Sequence, residues 1–340
     1  MSNFVQVGIY ATPLEACEAV GVQYQESFRA HGFSYLCLYK GGKTDGRIKP
    51  FDDGHGGMVF NQREKTMAIW SDVFQKGEKL TKQQKLEFER KAAKCRAKFE
   101  AEERAKNEIA SRYAALLYRS AKPSHSHPYL SKKHVPMVDT LRVIGYEDAL
   151  AILKAYYAEV GRPGPFSIPS RNGKGLLVGS PLLVVPMRGE NKDFQAVQLI
   201  DSDGGKSFLW GCRKSGAYWQ TEPLPEFDPS ESICVGIAEG VATALSVAYV
   251  KKIPVISAMD CGNLPSVALQ IRRRFPKAKI LILSDVGNGE KEAQKATQIV
   301  NGFFAIPEFS DELRLRFEHL TGKQVPTDFN DYYLARGMLL

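Results

Sequence analysis

The chain has 340 residues, of which 44% are hydrophobic and 25% charged, a balance typical of a folded protein with at least one buried core. No stretch reaches the roughly 20 apolar residues that span a bilayer, and the first residues lack the basic start and apolar run of a secretion signal. We therefore expect a cytoplasmic protein with no membrane partner. The net charge of +8 fits a polyanionic partner such as nucleic acid, and it fits solvated surface lysines equally well.

The six cysteines are scattered along the chain, and none forms a C-x-x-C pair. This spacing favours a reducing compartment over a disulfide framework, and it predicts no zinc site. The cysteines are Cys17, Cys37, Cys95, Cys212, Cys234 and Cys261.

Residues 1–78 predict a small N-terminal α+β module whose role cannot be read from the sequence. Strand-like segments at 33–39 and 58–61 alternate with glycine-rich turns at 41–46 and 52–57. His55, between two of these glycines, could be a ligand, but an ordinary loop residue is the preferred interpretation.

Residues 79–122 predict a long basic helical linker. Thr81 followed by Gln84 forms a possible capping box, and no proline or glycine occurs from there to Lys122. The segment holds 13 Lys/Arg against 6 Asp/Glu, so most of the net positive charge lies here. We favour a solvated spacer, while one face of the helix could instead contact a phosphate backbone.

Residues 123–228 contain strand-type segments at 176–186, 194–201 and 207–211, with a turn at 203–205. A proline-rich acidic segment at 223–232 is the main predicted domain boundary. Beyond it, strands alternate with helices throughout 229–340, which predicts a parallel sheet covered on both faces. The strands are predicted at 233–239, 253–259 and 278–285, and the helices at 240–252, 264–275 and 290–303.

Two apolar strands of this last region end in acidic residues. Glu239 closes the first strand and precedes Gly240, and Asp285 closes the third strand and precedes a Gly/Asn loop. Because ligands of open parallel sheets bind at the carboxyl ends of strands, the two carboxylates are expected to converge on one cation. Mg²⁺ suits such a site because it prefers hard oxygen ligands and keeps waters for the substrate.

Four motifs then carry a family resemblance. IAEGVATALSV (237–247), DCGNLPSVALQIRRRFP (260–276), ILILSD (280–285) and TDFNDYYLARG (327–337) resemble the TOPRIM region of plasmid- and phage-encoded DNA primases. HPYLSKKHV (127–135) resembles the segment that opens the catalytic core of this subgroup. Residues 184–211 are similar to the basic subdomain that precedes TOPRIM in bacterial-type primases.

The resemblance implies an α/β fold with a C-terminal TOPRIM parallel sheet and flanking helices at 229–340. A mixed α+β basic subdomain at 123–228, the long helix and the small N-terminal module would precede it. It implies Mg²⁺ or Mn²⁺ as cofactor, with Glu239 and Asp285 as catalytic and metal-binding residues.

Glu290, Asp328 and Asp331 are nearby acids that could serve as additional metal ligands. The resemblance also implies further site residues. The residues that would bind nucleic acid or nucleotide are Lys206, Arg188, Arg213, Lys214 and Asn263, and Gly240 and Gly262 are the motif glycines. A simple hairpin with solvent-facing lysines stays an alternative for the basic residues. Asp260 and Asp328 could equally cap helices.

One position departs from the family pattern. The third strand of this subgroup ends in Asp-Asn-Asp, whereas this chain reads Asp285-Val286-Gly287. With one carboxylate fewer, Mg²⁺ should bind more weakly. Either a nearby acid takes over as ligand, or the domain has degenerated into a binding module.

The function implied is a DNA primase of a phage or plasmid, a nucleotidyltransferase acting in a bacterial cell or a phage-infected host. It would make short RNA primers from NTPs on single-stranded DNA. The chain has no complete Walker A motif, so a replicative helicase would be a separate partner. The alternatives are a catalytically degenerate, nucleic-acid-binding accessory factor of replication or conjugation, and a TOPRIM nuclease.

Overall fold

The computed structural model describes residues 4–25, 34–36, 38–39, 45–72, 81–170, 173–225, 232–287 and 289–340. Cys37, most of the predicted turn at 41–46 and the middle of the segment 223–232 lie outside the described residues. The chain divides into two compact units, Met1–Glu103 and Arg104–Leu340.

The first unit is built on a five-stranded sheet in the order β1-β5-β4-β3-β2. β3, β4 and β5 form an antiparallel meander, and β1 pairs with β5 in parallel. The elements are β1 (Val5–Tyr10), α1 (Pro13–Ala19), β2 (Ser34–Leu36), β3 (Gly46–Pro50), β4 (Gly57–Asn61) and β5 (Thr66–Trp70). His55 lies in the loop before β4, where its Nδ1 is 3.2 Å from an Asp72 carboxylate oxygen at an exposed position.

The predicted long helix is a single helix, α2 (Lys82–Ser120), of 39 residues. Its capping box is formed: the Gln84 N–H donates to Thr81 Oγ1 at 3.2 Å, and the Thr81 N–H donates to Gln84 Oε1 at 3.0 Å. In its last turns Ala110, Ala114 and Leu117 are fully buried. The interpretation as a solvated spacer is too simple for these turns, because positions spaced by three and four residues give a helix one apolar face.

That face packs into a core of the second unit beside a four-stranded antiparallel sheet in the order β6-β7-β8-β9. The sheet corresponds to the predicted basic subdomain. Its elements are α3 (Pro128–Lys132), β6 (Arg142–Ile144), α4 (Tyr146–Glu159), β7 (Leu182–Arg188), β8 (Phe194–Ile200) and β9 (Lys206–Phe208). The predicted strand at 176–186 begins later, at Leu182, because the backbone at Leu176 bonds to Ile168 instead of a strand.

The C-terminal region forms the predicted parallel sheet with flanking helices, in the strand order β10-β12-β11-β13-β14. The edge strand β10 precedes the segment 223–232, and it pairs antiparallel with β12. The elements are β10 (Trp219–Gln220), β11 (Cys234–Ala238), α5 (Val241–Lys251), β12 (Val255–Ser257), α6 (Leu264–Arg274), β13 (Lys279–Leu283), α7 (Glu290–Val300), β14 (Phe303–Ala305), α8 (Asp311–Thr321) and α9 (Phe329–Ala335). Within the described part of the chain, no helix has the length and apolar character needed to cross a membrane.

Candidate metal and nucleotide site

The register of the parallel sheet brings the acidic strand ends to one edge. Ala238 of β11 lies opposite Leu283 of β13 and opposite Ser257 of β12. Glu239 therefore leaves the sheet beside Ser284, one residue before Asp285. Ser257 Oγ donates to the Glu239 carbonyl at 2.8 Å, which ties the turn before α5 to the neighbouring strand.

Asp285 is the most perturbed acid of this edge. Burial, followed by the charges of Asp328 and Glu239, raises the pKa of Asp285 to about 7, whereas the charge of Lys206 acts in the opposite direction. The charges of three residues from different parts of the chain thus act on this one carboxylate. A carboxylate that is costly to ionise is a site where a cation is strongly favoured.

Asp328 and Asp331 enter this edge through the start of α9. Asp328 Oδ1 accepts the Asp331 N–H at 2.9 Å, and Asp331 Oδ2 accepts the Thr327 N–H at 3.0 Å. Asp331 is also 3.9 Å from the Lys133 ammonium. The Asp331 carboxylate is therefore already engaged at the start of α9 by the Thr327 N–H and the Lys133 ammonium. The charge of Asp328 reaches Asp285 although Asp328 caps the same helix.

The loop after β13 closes the edge from the other side. Glu290 Oε1 accepts the Gly287 N–H at 2.6 Å, so this carboxylate caps its own loop. Gly289 has a φ of +111°, and a Cβ there would stand 3.2 Å from Cys261 Cβ and 3.5 Å from Glu239 Oε2. The positive φ and the close approach to Cys261 favour glycine at this position, whereas the Glu239 carboxylate lies at ordinary contact distance.

Asp201, which the sequence analysis missed, fixes the backbone turn that leads into Lys206. Asp201 Oδ1 accepts the N–H groups of Asp203 and Gly205 at 2.9 and 2.7 Å, and its Oδ2 accepts the Leu177 N–H at 2.8 Å. These bonds fix the turn that begins β9 with Lys206. An aspartate two residues before a turn residue is an Asx-turn signal that could have identified it.

His127 and Tyr129 were also missed. Buried His127 caps α3: its Nδ1 accepts the Tyr129 N–H at 3.2 Å, so Nε2 carries the proton and donates to the Pro181 carbonyl at 3.0 Å. Burial lowers the pKa of His127, which keeps the ring neutral. The Tyr129 ring lies beside Gly204, next to the Lys206 turn, and burial, followed by the charge of Asp328, raises the pKa of Tyr129.

Asn263 links the segment before β10 to the end of β12. Its Nδ2 donates to the carbonyls of Ala217 and Ala258, each at 2.9 Å, and its Oδ1 accepts the Gly216 N–H at 2.7 Å. Asp260 caps the turn before it by accepting the Gly262 N–H at 3.0 Å. The side-chain amide of Asn263 is already hydrogen-bonded to these backbone groups. Direct binding of a nucleotide by Asn263 stays a prediction.

We expect Asn263→Asp to destabilise the protein by about 2–4 kcal/mol, because a carboxylate would face two buried carbonyls in place of an NH₂ group. Thermal unfolding measures the effect. Asn191→Asp, in an exposed turn, is the control and should leave the melting temperature within about a degree. Equal melting temperatures for both variants would contradict the linking role.

The other predicted basic residues lie in two places, and Arg188 is far from Lys206. Arg213 and Lys214 are exposed in the loop after β9, where the Lys214 ammonium is 4.9 Å from the Phe208 ring centroid. Arg188 lies opposite Phe194, whereas Lys206 lies opposite Ile200 at the other end of β8. At about 3.4 Å per residue, Arg188 and Lys206 are separated by roughly 20 Å along this strand.

The donor chemistry of the edge fits a divalent cation. Asp285 Oδ1 is buried and accepts no hydrogen bond from a described residue. Glu239 and Asp328 supply further hard oxygens within electrostatic reach. In the described part of the chain, no three acidic, histidine or cysteine side chains already converge as a ready-made metal cluster. Mg²⁺ needs no such cluster, because one or two carboxylates with water and substrate oxygens suffice.

A parallel sheet with acidic residues at the carboxyl ends of its strands is typical of a recognised class of domain. Residues 234–338 match the Toprim domain model, so this part of the chain is a Toprim domain. The predicted fold class is thereby confirmed, and the resemblance to TOPRIM primases of the plasmid and phage type is confirmed once the following relatives are added.

Particular relatives point the same way. The chain is 30% identical over 124 residues to a DNA primase TraC of Escherichia coli, covering 34% of this chain and 12% of the relative. It is 25% identical over 283 residues to a second DNA primase TraC of Escherichia coli, covering 80% of this chain and 17% of the relative. The chain thus spans less than a fifth of the length of these relatives.

Among solved structures, the chain is similar to the zinc-binding and RNA polymerase domains of the Aquifex aeolicus primase. The TM-score is 0.41 with 14% identity, over 69% of this chain and 59% of that one.

Proposed function

We propose that the chain is a DNA primase-like nucleotidyltransferase that makes short RNA primers on single-stranded DNA. The observation that carries this proposal is the strand register that brings Glu239 and Asp285 to the carboxyl edge of a Toprim sheet, where the charges of Asp328 and Lys206 also act on Asp285. The similarity to two proteins named DNA primase supports the choice of reaction.

Mg²⁺ or Mn²⁺ would be held by Asp285 and Glu239, with Asp328 in the position to replace the carboxylate missing at Gly287. Once bound, the cation would neutralise the charge that develops on the transferring phosphoryl group. The buried, unpartnered Oδ1 of Asp285 is the oxygen that gains most from it.

The protein residues would orient the substrate. Lys206, fixed by the Asp201 turn, would neutralise part of the triphosphate charge and hold it against the acidic edge. Glu239 would stand beside the reacting groups as a ligand, or as the group that accepts a proton from the attacking hydroxyl. Arg213 and Lys214, exposed in the loop after β9, would contact the template backbone.

A cellular setting follows from this proposal. The protein would act in replication of a phage or plasmid, in the cytoplasm of a bacterial cell or an infected host. A replicative helicase would be a separate partner.

Gly287 favours a second candidate function. Where the subgroup carries its second aspartate, this chain has open space, because a Cβ at Gly287 would meet no atom within 4 Å. A domain with weakened cation binding would be an accessory factor that binds nucleic acid without synthesis. In the third alternative, a TOPRIM nuclease, the same carboxylates would act in a different reaction.

One assay separates these functions: incubation with single-stranded DNA, labelled NTPs and Mg²⁺ or Mn²⁺, followed by electrophoresis of the products. Short oligoribonucleotides would establish the primase. Template binding without products would establish the accessory factor, and a shortened template would establish the nuclease.

Restoring the missing carboxylate should strengthen cation binding. We expect Gly287→Asp to raise the affinity for Mn²⁺ by about tenfold, since the added side chain enters open space at the acidic edge. The φ of +86° at this position should reduce stability by about 1 kcal/mol. Titration of Mn²⁺ measures the affinity.

Gly287→Asn is the matched control, because it brings the same backbone strain and nearly the same side-chain volume without a charge. Its Mn²⁺ affinity should stay close to that of the wild type. Equal affinities for Gly287→Asp and Gly287→Asn would show that position 287 does not face the cation.

A further inference from the structure

A cleft of about 270 Å³ lies in the second unit between β7, β10 and the last turn of α6. Arg188, Lys192 and Arg274 contribute three cationic side chains to its wall, and no acidic residue of the described part of the chain lines it. Tyr118, Tyr218 and Trp219 add three aromatic residues. The lining therefore favours an anion that also carries a flat apolar part.

This cleft is distinct from the carboxylate edge. None of Glu239, Asp285 and Asp328 lines it. Helix α6 begins at the carboxyl edge of the sheet, directly after Asn263, and ends with Arg274 after 11 residues. At 1.5 Å per residue, roughly 16 Å of helix separates Arg274 from that edge.

The Arg188 guanidinium is held in place before any ligand arrives. Its centre lies 4.0 Å from the centroid of the Phe194 ring, and its Nη1 donates to the Lys192 carbonyl at 2.8 Å. Phe194 packs in turn on Tyr118, with 5.4 Å between ring centroids. A guanidinium held by a ring and a carbonyl loses little side-chain entropy when it binds a phosphate.

Arg274 is held in the same manner on the opposite wall. Its Nη2 donates to the Pro225 carbonyl at 2.9 Å, and its charge also acts on Tyr218. Neither Arg188 nor Arg274 forms an ion pair with a carboxylate of the described residues. The acid whose charge reaches Tyr218 is Glu190, in the turn after β7.

We propose that this cleft binds one phosphorylated nucleoside unit, with its phosphate between Arg188 and Arg274 and Lys192 at the rim. The volume suits a single nucleotide, supplied either by a free nucleotide or by a single strand that passes through the cleft. The choice of a nucleotide over other anions rests on the proposed function of the carboxylate edge. A base would pack on the outer face of the Arg188 guanidinium, as bases do in single-strand sites.

Binding in EDTA tests the proposal without the carboxylate site. Fluorescence anisotropy would follow a labelled 20-nucleotide oligo(dT) and, separately, a fluorescent ATP analogue. We expect the Lys192→Gln/Arg274→Gln double variant to bind at least one probe at least tenfold more weakly than the wild type. Lys154→Gln, which removes one charge from an exposed position of α4, is the control and should change either affinity less than twofold.

Because Arg274 also holds Pro225, the exposed turn residue Lys192 provides a second test. Lys192→Glu should weaken the same probe at least threefold with an unchanged melting temperature. A loss for oligo(dT) alone assigns the cleft to a strand, and a loss for the ATP analogue alone assigns it to a free nucleotide. Wild-type affinity of both variants for both probes would overturn the proposal.

The proposed nucleotide cleft and the proposed function of the carboxylate edge can be tested independently of each other. Glu239→Gln should bind both probes normally in EDTA, because Glu239 does not line the cleft. Loss of primer synthesis with intact binding in EDTA would therefore concern the carboxylate edge alone.

Discussion

Asp285→Asn is expected to stabilise the metal-free protein while it removes the stabilisation that Mg²⁺ gives. Burial and the neighbouring carboxylates raise the pKa of Asp285 to about 7, so an ionised Asp285 costs folding free energy in the absence of a cation. The upper limit is about 4 kcal/mol for a rise of three pKa units. We expect an observed gain of about 1–3 kcal/mol in EDTA at pH 8, measured by chemical denaturation.

The gain should depend on pH in a defined way. The folded-state pKa of Asp285 lies above the value of about 3.9 expected for the unfolded chain. Below pH 4 both states are protonated and the variant should match the wild type. Between pH 4 and 7 only the unfolded state releases the proton, so the wild type loses stability relative to the variant. Above pH 7 the difference should be constant.

Asp139→Asn removes an exposed carboxylate of the same unit and serves as the control. Its stability should follow that of the wild type within about 0.5 kcal/mol at every pH. An Asp285→Asn variant that is less stable than the wild type in EDTA at pH 8 would refute the electrostatic description of this edge.

Glu239→Gln should reduce primer synthesis by at least about 100-fold, while the fold stays intact. The change removes a charged oxygen at the acidic edge but keeps the side-chain volume beside Gly289 and Cys261. Loss of one group that acts only on the charged transition state typically costs two to three orders of magnitude. The rate of oligoribonucleotide formation at saturating NTP measures the effect.

Glu308→Gln removes an equivalent charge from an exposed position after β14 and should keep at least half of the wild-type rate. Comparable rates of primer synthesis for Glu239→Gln and the wild type would show that the reaction does not take place at this edge.

The alternation of strands and helices made the C-terminal sheet predictable. Each buried strand reads as an apolar run, and each ends in a polar residue followed by a helix, so short-range pattern and fold agree. Glu239 and Asp285 could be found in the same way, because strand ends in a parallel sheet share one edge.

Long-range contacts could not be predicted from pattern. β10 pairs with β12 across more than 30 residues, and only the folded chain places Asp328 beside Asp285. Binding of nucleotide by Asn263 was expected from the family resemblance of the Gly262-Asn263 motif. The hydrogen bonds of Asn263 to three backbone groups could not be read from spacing, since Gly216 and Ala217 lie over 40 residues away.

Binding of Mn²⁺, followed by electron paramagnetic resonance as the metal is titrated into the metal-free protein, tests the carboxylate site most directly. The wild type should bind Mn²⁺ with saturation, and Asp285→Asn should bind at least tenfold more weakly, with Mg²⁺ competing for the same site. Equal Mn²⁺ affinity in the wild type and in Asp285→Asn would contradict the assignment of this edge as the metal site.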